Sequence, residues 1–141
     1  ALAFDGATLA ARLMEPTRIY TKSALDLIGE FDVHGVAHIT GGGITENLPR
    51  VLPRGVKARV DLSSWVLPPV FQWLRETGHI AESEMLRTFN SGVGMIFCLP
   101  AHEADAACAQ LADAGEHAWV VGQIETGFGP AIVEYTGRLD A

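Results

Sequence analysis

The sequence predicts one α+β domain: a three-layer α/β/α fold with a mixed sheet, built on a split, partly ferredoxin-like βαββαβ core with a helical insertion. Three observations predict it. The chain has 141 residues, 48% of them apolar, which suits one hydrophobic core and excludes wholesale disorder. Short runs with strand patterning recur between stretches with helical spacing. With residues 68–89 set aside as an insertion, the order is strand 36–40, helix 44–52, strand 56–62, strand 93–99, helix 103–114, strand 118–124, the split-βαβ pattern.

Residues 1–34 form a leading helical segment. Asp5-Gly6 reads as a turn, and Thr8 caps a short helix through Leu9, Leu13 and Met14 that stops before Pro16. Residues 18–21 are extended. Ser23 is the expected N-cap of the next helix, which places Leu27, Ile28 and Phe31 on one face. These leading helices are expected to cover the face of the sheet opposite the core helices. Strand 36–40 runs into Gly41-Gly42-Gly43, and helix 44–52 follows with Pro49 inside it, as a kink or an early stop. Residues 56–62 alternate apolar and polar, as a half-buried strand does. Ser63 or Ser64 then caps a helix with Pro68 and Pro69 in its first turn, ending near Gly78, and a short helix covers 83–89. Asn90-Ser91-Gly92 is a turn. The uninterrupted apolar run 93–99 reads as a central strand buried on both faces, stopped by Pro100. Helix 103–114 turns Ala107 and Leu111 inward and ends at Gly115. Residues 118–124 form a further strand, and 131–135 a last one at an edge.

Composition narrows the function. The net charge of -7 provides no basic excess to bind a nucleic-acid backbone. No apolar run approaches membrane-spanning length and no signal peptide opens the chain, so neither nucleic acid nor membrane is an expected partner, and a cytoplasmic location is the default. Cys98 and Cys108 lack C-x-x-C spacing; two buried free thiols are expected rather than a zinc site or a disulfide.

The most informative stretch is His38 to Asn47. A strand that ends in three glycines and restarts as a helix leaves backbone N–H groups aimed one way, and the missing Cβ atoms let a phosphate approach them. Read from the residues alone, the loop is either such an anion site or a tight turn needing positive φ. Thr40, Gly41, Gly42, Gly43 and the N–H near Ile44 are the candidate phosphate binders, with Asn47 to orient ligand. His38 either reaches a bound group, as the one candidate catalytic residue, or is hydrogen-bonded inside the sheet. His34 and His38 do not form a metal pair, because four strand residues span about 13 Å. No metal site is expected elsewhere. Arg87, Thr88, Asn90 and Ser91 make a second polar turn, able to bind a phosphate or simply to connect helix and strand. Arg18 and Lys22 lie near a helix start, where cations do not complement the dipole; that fits a ligand anion and equally fits no function. Trp65, Trp73 and Trp119 read as core or interface rings.

Several blocks together resemble the C-terminal half of the aminoimidazole ribonucleotide synthetase family, the phosphoribosylformylglycinamidine cyclo-ligases. They are Pro16 to Tyr20, Ala37 to Gly43 with Glu46 to Pro53, Glu84 to Met95, and Ala118 to Gly122, in order and spacing from about residue 16 to 126. The resemblance implies ring closure of formylglycinamidine ribonucleotide, a phosphorylated substrate, to aminoimidazole ribonucleotide in purine synthesis. In that family ATP, with Mg2+, activates the formyl oxygen by phosphoryl transfer, and ADP and phosphate leave. The resemblance also implies a homodimer with two domains per chain, in which the N-terminal domain holds most of the nucleotide site. Nothing here resembles that domain, and the chain opens at Ala1 without Met. The expectation is a single substrate-side domain over 1–141 that partners an N-terminal ATP-binding domain, holds no tightly bound cofactor and is inactive alone. The alternatives are a stand-alone phosphometabolite-binding module, or another ATP-dependent enzyme of the same superfamily.

Overall fold

The computed structural model describes residues 3, 4 and 6–139, and Asp5 of the expected first turn lies outside them. The class is α+β, with six α-helices, three 3-10 helices and seven strands among the described residues. The leading segment holds a small hairpin of β1 (Ala3–Phe4) and β2 (Ala7–Thr8), then α1 (Leu9–Leu13). Thr8 caps α1 as its sequence predicts: its hydroxyl oxygen accepts the Ala11 N–H at 3.2 Å. Helix α2 (Thr21–Glu30) starts two residues earlier than Ser23, from Tyr20, so Ser23 is internal. It buries Leu27 completely and leaves Ile28 exposed.

The remaining strands form two sheets. β3 (Gly35–His38) pairs antiparallel with β5 (Met95–Cys98). A mixed three-stranded sheet runs in the order β6-β4-β7, with β4 (Val56–Asp61) antiparallel to β6 (Gly122–Thr126) and parallel to β7 (Ile132–Thr136). β7 is an edge, as its sequence implies. β5 is not central: only β3 pairs with it. β6 is displaced from 118–124, because Trp119 and Val121 pack against the core while 118–121 carries no ladder. The Trp119 indole N–H donates to the Ser64 hydroxyl at 3.1 Å and fixes that stretch.

Proline sets three helix boundaries. α3 (Gly43–Asn47) passes into a 3-10 helix, Leu48–Val51, at whose start Pro49 sits without the penalty it has inside an α-helix. Ser63 and Ser64 do not cap the next helix; they lie in a 3-10 turn (Leu62–Ser64) capped by Asp61. α4 (Pro69–Gly78) starts after Pro68, with Pro69 in its first turn. α5 (Glu82–Thr88) follows, and a 3-10 turn (Ala101–Glu103) leads into α6 (Ala104–Asp113). On α6 Ala107 is buried and Leu111 only half-buried.

One core joins the two sheets. Ala37 and Ile39 of the β3 segment, Ile44 and Leu48 after the glycines, Ala58 and Val60 of β4, Leu86 of α5 and Ile96 of β5 are at most 7% exposed. A fully buried Leu or Ile of this kind contributes about 1.5–3 kcal/mol. Because Ile39, Ile44 and Leu86 belong to it, the glycine loop and the α5 end are held by the most tightly packed part of the molecule. Trp65 is buried with its N–H on the Ser91 carbonyl at 3.0 Å, which ties the 90–92 turn to the same core. No helix among the described residues is long and apolar enough to cross a membrane.

Candidate functional site

The three glycines are constrained differently. Gly43 has φ +60°, and a Cβ there would collide with the Leu86 carbonyl oxygen, so it is what lets α3 pack on α5. Gly42 has φ +99°, and a Cβ there would come within 2.7 Å of the Glu46 carboxylate. Gly41 has neither restriction: a Cβ there meets nothing within 4 Å. It lines an open cleft of about 580 Å³, a volume typical of small-molecule sites.

Asn47 sets the direction of the loop's peptides. Its side-chain nitrogen donates to the carbonyls of Thr40 (3.2 Å), Gly41 (3.2 Å) and Gly43 (2.9 Å). In a planar trans peptide the following N–H points opposite to the carbonyl. Gathering these three carbonyls therefore turns the N–H groups of Gly41, Gly42 and Ile44 away from Asn47. Gly43 is spent on the turn itself, its N–H bonding the Thr40 carbonyl at 3.0 Å. Asn47 is only 6% exposed and does not border the cleft. It shapes the loop from beneath, in place of the ligand contact expected from its position.

The other expected residues divide likewise. His38, Thr40, Gly41, Thr88 and Asn90 line the cleft together. His38 is exposed rather than hydrogen-bonded inside the sheet, its ring edge-on to Tyr20 with centroids 6.0 Å apart. Gly42 and Gly43 lie just behind Gly41, and Ile44 is fully buried core. Ser91 is 1% exposed, at φ +52°, with its hydroxyl toward the Met85 carbonyl; it is a turn residue. Arg87 points out of the cleft to Glu46, Nε to Oε1 3.6 Å. That contact offsets a carboxylate that would otherwise repel an anion at Gly42.

Sequence patterning missed the far wall. Tyr20 stands over Gly94, where any Cβ would collide with its hydroxyl. Burial and nearby Glu116 push its phenol above 10.0, partly offset by Arg18, so at neutral pH it is an O–H donor. Arg18, singled out as a misfit, is held by Glu116 (2.7 Å) and donates to the Gly115 carbonyl (2.9 Å), which clamps the leading segment onto the end of α6. Phe71 and Phe89, with centroids 5.9 Å apart, give the cleft an apolar side. A glycine that collides with an aromatic from 74 residues away leaves no local trace in the sequence. The signals on this side were Arg18 and the Pro16 to Tyr20 block that carries part of the family resemblance.

His34 does not reach the cleft; its Nε2 pairs with Asp32 at 2.9 Å. The described residues form no group of three His, Cys, Asp or Glu that could hold a metal ion. The site offers backbone N–H donors, hydroxyls, one amide, one imidazole, the Arg12 and Arg18 guanidiniums, the Glu15 carboxylate and an aromatic wall. Arg12 and Glu15 pair at 3.4 Å. The arrangement can bind and orient an anionic metabolite. Compared with known families, residues 1–133 match the family model described as AIR synthase related protein, C-terminal domain.

Proposed function

The chain belongs to the family of AIR synthase related protein C-terminal domains, and on that premise we propose that it is the substrate-side domain of an ATP-dependent cyclo-ligase. The reaction proposed is closure of the imidazole ring of formylglycinamidine ribonucleotide. The observation that carries the reading is Gly41: neither backbone angle nor packing requires a glycine there, and the residue faces a ligand-sized cleft. The missing Cβ leaves room for a ligand to approach the main chain closely.

In this reading the substrate phosphate sits on the N–H groups of Gly41 and Gly42, with Thr40 beside it. Thr88, Asn90 and the Tyr20 hydroxyl bind the rest of the molecule, and Phe71 and Phe89 exclude water. His38 stands where it can donate to the ligand. ATP, with its Mg2+, supplies activation of the formyl oxygen from a partner domain. This chain fixes the amidine nitrogen against the activated carbon, and such steps depend mainly on positioning and charge neutralisation.

The test is isothermal titration of the chain, paired with a nucleotide-binding domain of the family and Mg-ADP so that no turnover follows, with formylglycinamidine ribonucleotide and with thiamine phosphate. Saturable binding of the first and not the second supports the cyclo-ligase. The reverse preference assigns the domain to another enzyme of the superfamily.

A further inference from the structure

A second cavity, of about 720 Å³, lies between the two sheets and shares Arg18, Tyr20, Gly92 and Gly94 with the first cleft. Met95 and Phe97 of β5 border it on one side, and Gly122 and Ile124 of β6 on the other. The ladders say where these backbones point. Ile39 N–H bonds the Gly94 carbonyl, and with the register Ala37↔Ile96 and Gly35↔Cys98 this puts the peptide groups of 94, 96 and 98 on β3. Those of Met95 and Phe97 face the other way. Likewise Asp61 N–H bonds the Val121 carbonyl, so 121, 123 and 125 face β4, and Gly122 and Ile124 face away. Two unpaired strand edges therefore border one cavity. Leu27 of α2 and Ala107 and Leu111 of α6 also line it.

Two further facts define the occupant. Residues 93–99 have the continuous apolar pattern of a strand flanked on both sides, yet β5 is an edge, where such a sequence is an aggregation liability. Of the charged groups that line the cavity, Arg18 is matched by Glu116 at 2.7 Å and Arg59 by the neighbouring Glu125 at 2.9 Å, and Asp105 of α6 adds one carboxylate. The complement of such a lining is uncharged. We propose that this cavity is a strand-addition site, taking one extended, uncharged apolar segment of polypeptide from outside the described residues. The segment would join the sheets in the order β3-β5-guest-β6-β4-β7. It needs four or five residues, the lengths of β5 and β6. Backbone bonds to both edges would hold it, and its alternate side chains would lie under α2 and α6. The proposal is independent of the phosphate reading.

The experiment uses the peptide acetyl-Gly-Val-Val-Ile-Leu-Val-Gly-Lys-Lys-amide and the same peptide N-methylated at alternate residues. The second keeps the apolar surface and loses one hydrogen-bonding edge. Amide hydrogen exchange of the chain is followed by NMR. The expected result is slowing of at least about tenfold at Met95, Phe97, Gly122 and Ile124 with the first peptide, and loss of that slowing on at least one of the two strands with the second, with Ile96 and Gln123 unchanged. Equal protection by both peptides would mean apolar sticking without strand addition and overturns the proposal. So does an absence of protection at saturating peptide. A dimer in sedimentation that protects the same amides without peptide makes the occupant a second copy, and overturns it as well.

Discussion

Gly43 and Gly41 are two residues apart and call for opposite outcomes. Gly43→Ala combines a left-handed φ with a collision against the Leu86 backbone, which cannot move away as a flexible side chain could. It is expected to lower unfolding free energy in urea by about 3 kcal/mol or more. Gly41→Ala is expected to change stability by less than about 0.5 kcal/mol, since its Cβ meets nothing. It should nevertheless weaken binding of the phosphorylated substrate by at least about tenfold, measured by titration calorimetry. Asn47→Asp exchanges a donor of three hydrogen bonds for an acceptor facing three carbonyls. Urea unfolding should register a loss of about 2 kcal/mol or more. In the sequence, three consecutive glycines announced a special backbone but not which of them served packing, turn or ligand. Asn47 announced a polar residue beside the loop, and nothing local said that it turns inward.

At the scale of elements, the α+β class and nearly every helix were legible, because spacing and proline positions are local. Pro49 already marked a break between 44 and 52, and the structure resolves it as a change from α to 3-10. Pairing was not legible. The run 93–99 shows how apolar the strand is and not which neighbours it has, and 118–124 gave the strand with the wrong bounds, against Gly122–Thr126, because Trp119 serves packing instead of the ladder. The thiols of β5 and α6 give the elements a pH signature. Burial pushes Cys98 and Cys108 above 9.0, Cys108 also by nearby Asp105, and burial pushes Tyr20 and Tyr135 above 10.0. For a raised value the folded state holds the proton longer than the unfolded chain. That stability is complete below the unfolded value and is lost as pH rises through the folded one. The urea midpoint should therefore fall from about pH 9 upward, and Cys98→Ala should remove part of the first decline. At the acid end the sign reverses. Glu134, held low by its bond from Lys57, contributes above 4.5 and loses its contribution as pH falls through its lower folded value.

For the whole molecule, the proposed function asks an acidic chain of net charge -7 to attract a phosphate, which takes a local site. The cleft presents backbone dipoles, hydroxyls and the Arg12 and Arg18 guanidiniums, with Glu15 paired to Arg12, and the Glu46 carboxylate near Gly42 is offset by Arg87. The leading segment walls the cleft: Tyr20 meets Gly94, and Arg18 beside it is held to Glu116 and Gly115. That tertiary arrangement, linking residues near 18 with residues near 94 and 116, explains why half of the site was legible and its far wall was not. The central claim is that the amides of Gly41 and Gly42 hold the substrate phosphate. The most direct measurement is an amide NMR titration with formylglycinamidine ribonucleotide, in the presence of a nucleotide-binding partner domain and Mg-ADP. The account predicts that the Gly41 and Gly42 resonances move downfield saturably, together with Thr88 and Asn90, and that Gly41→Ala abolishes the response. Saturable binding that leaves the Gly41 and Gly42 amides unmoved would contradict it.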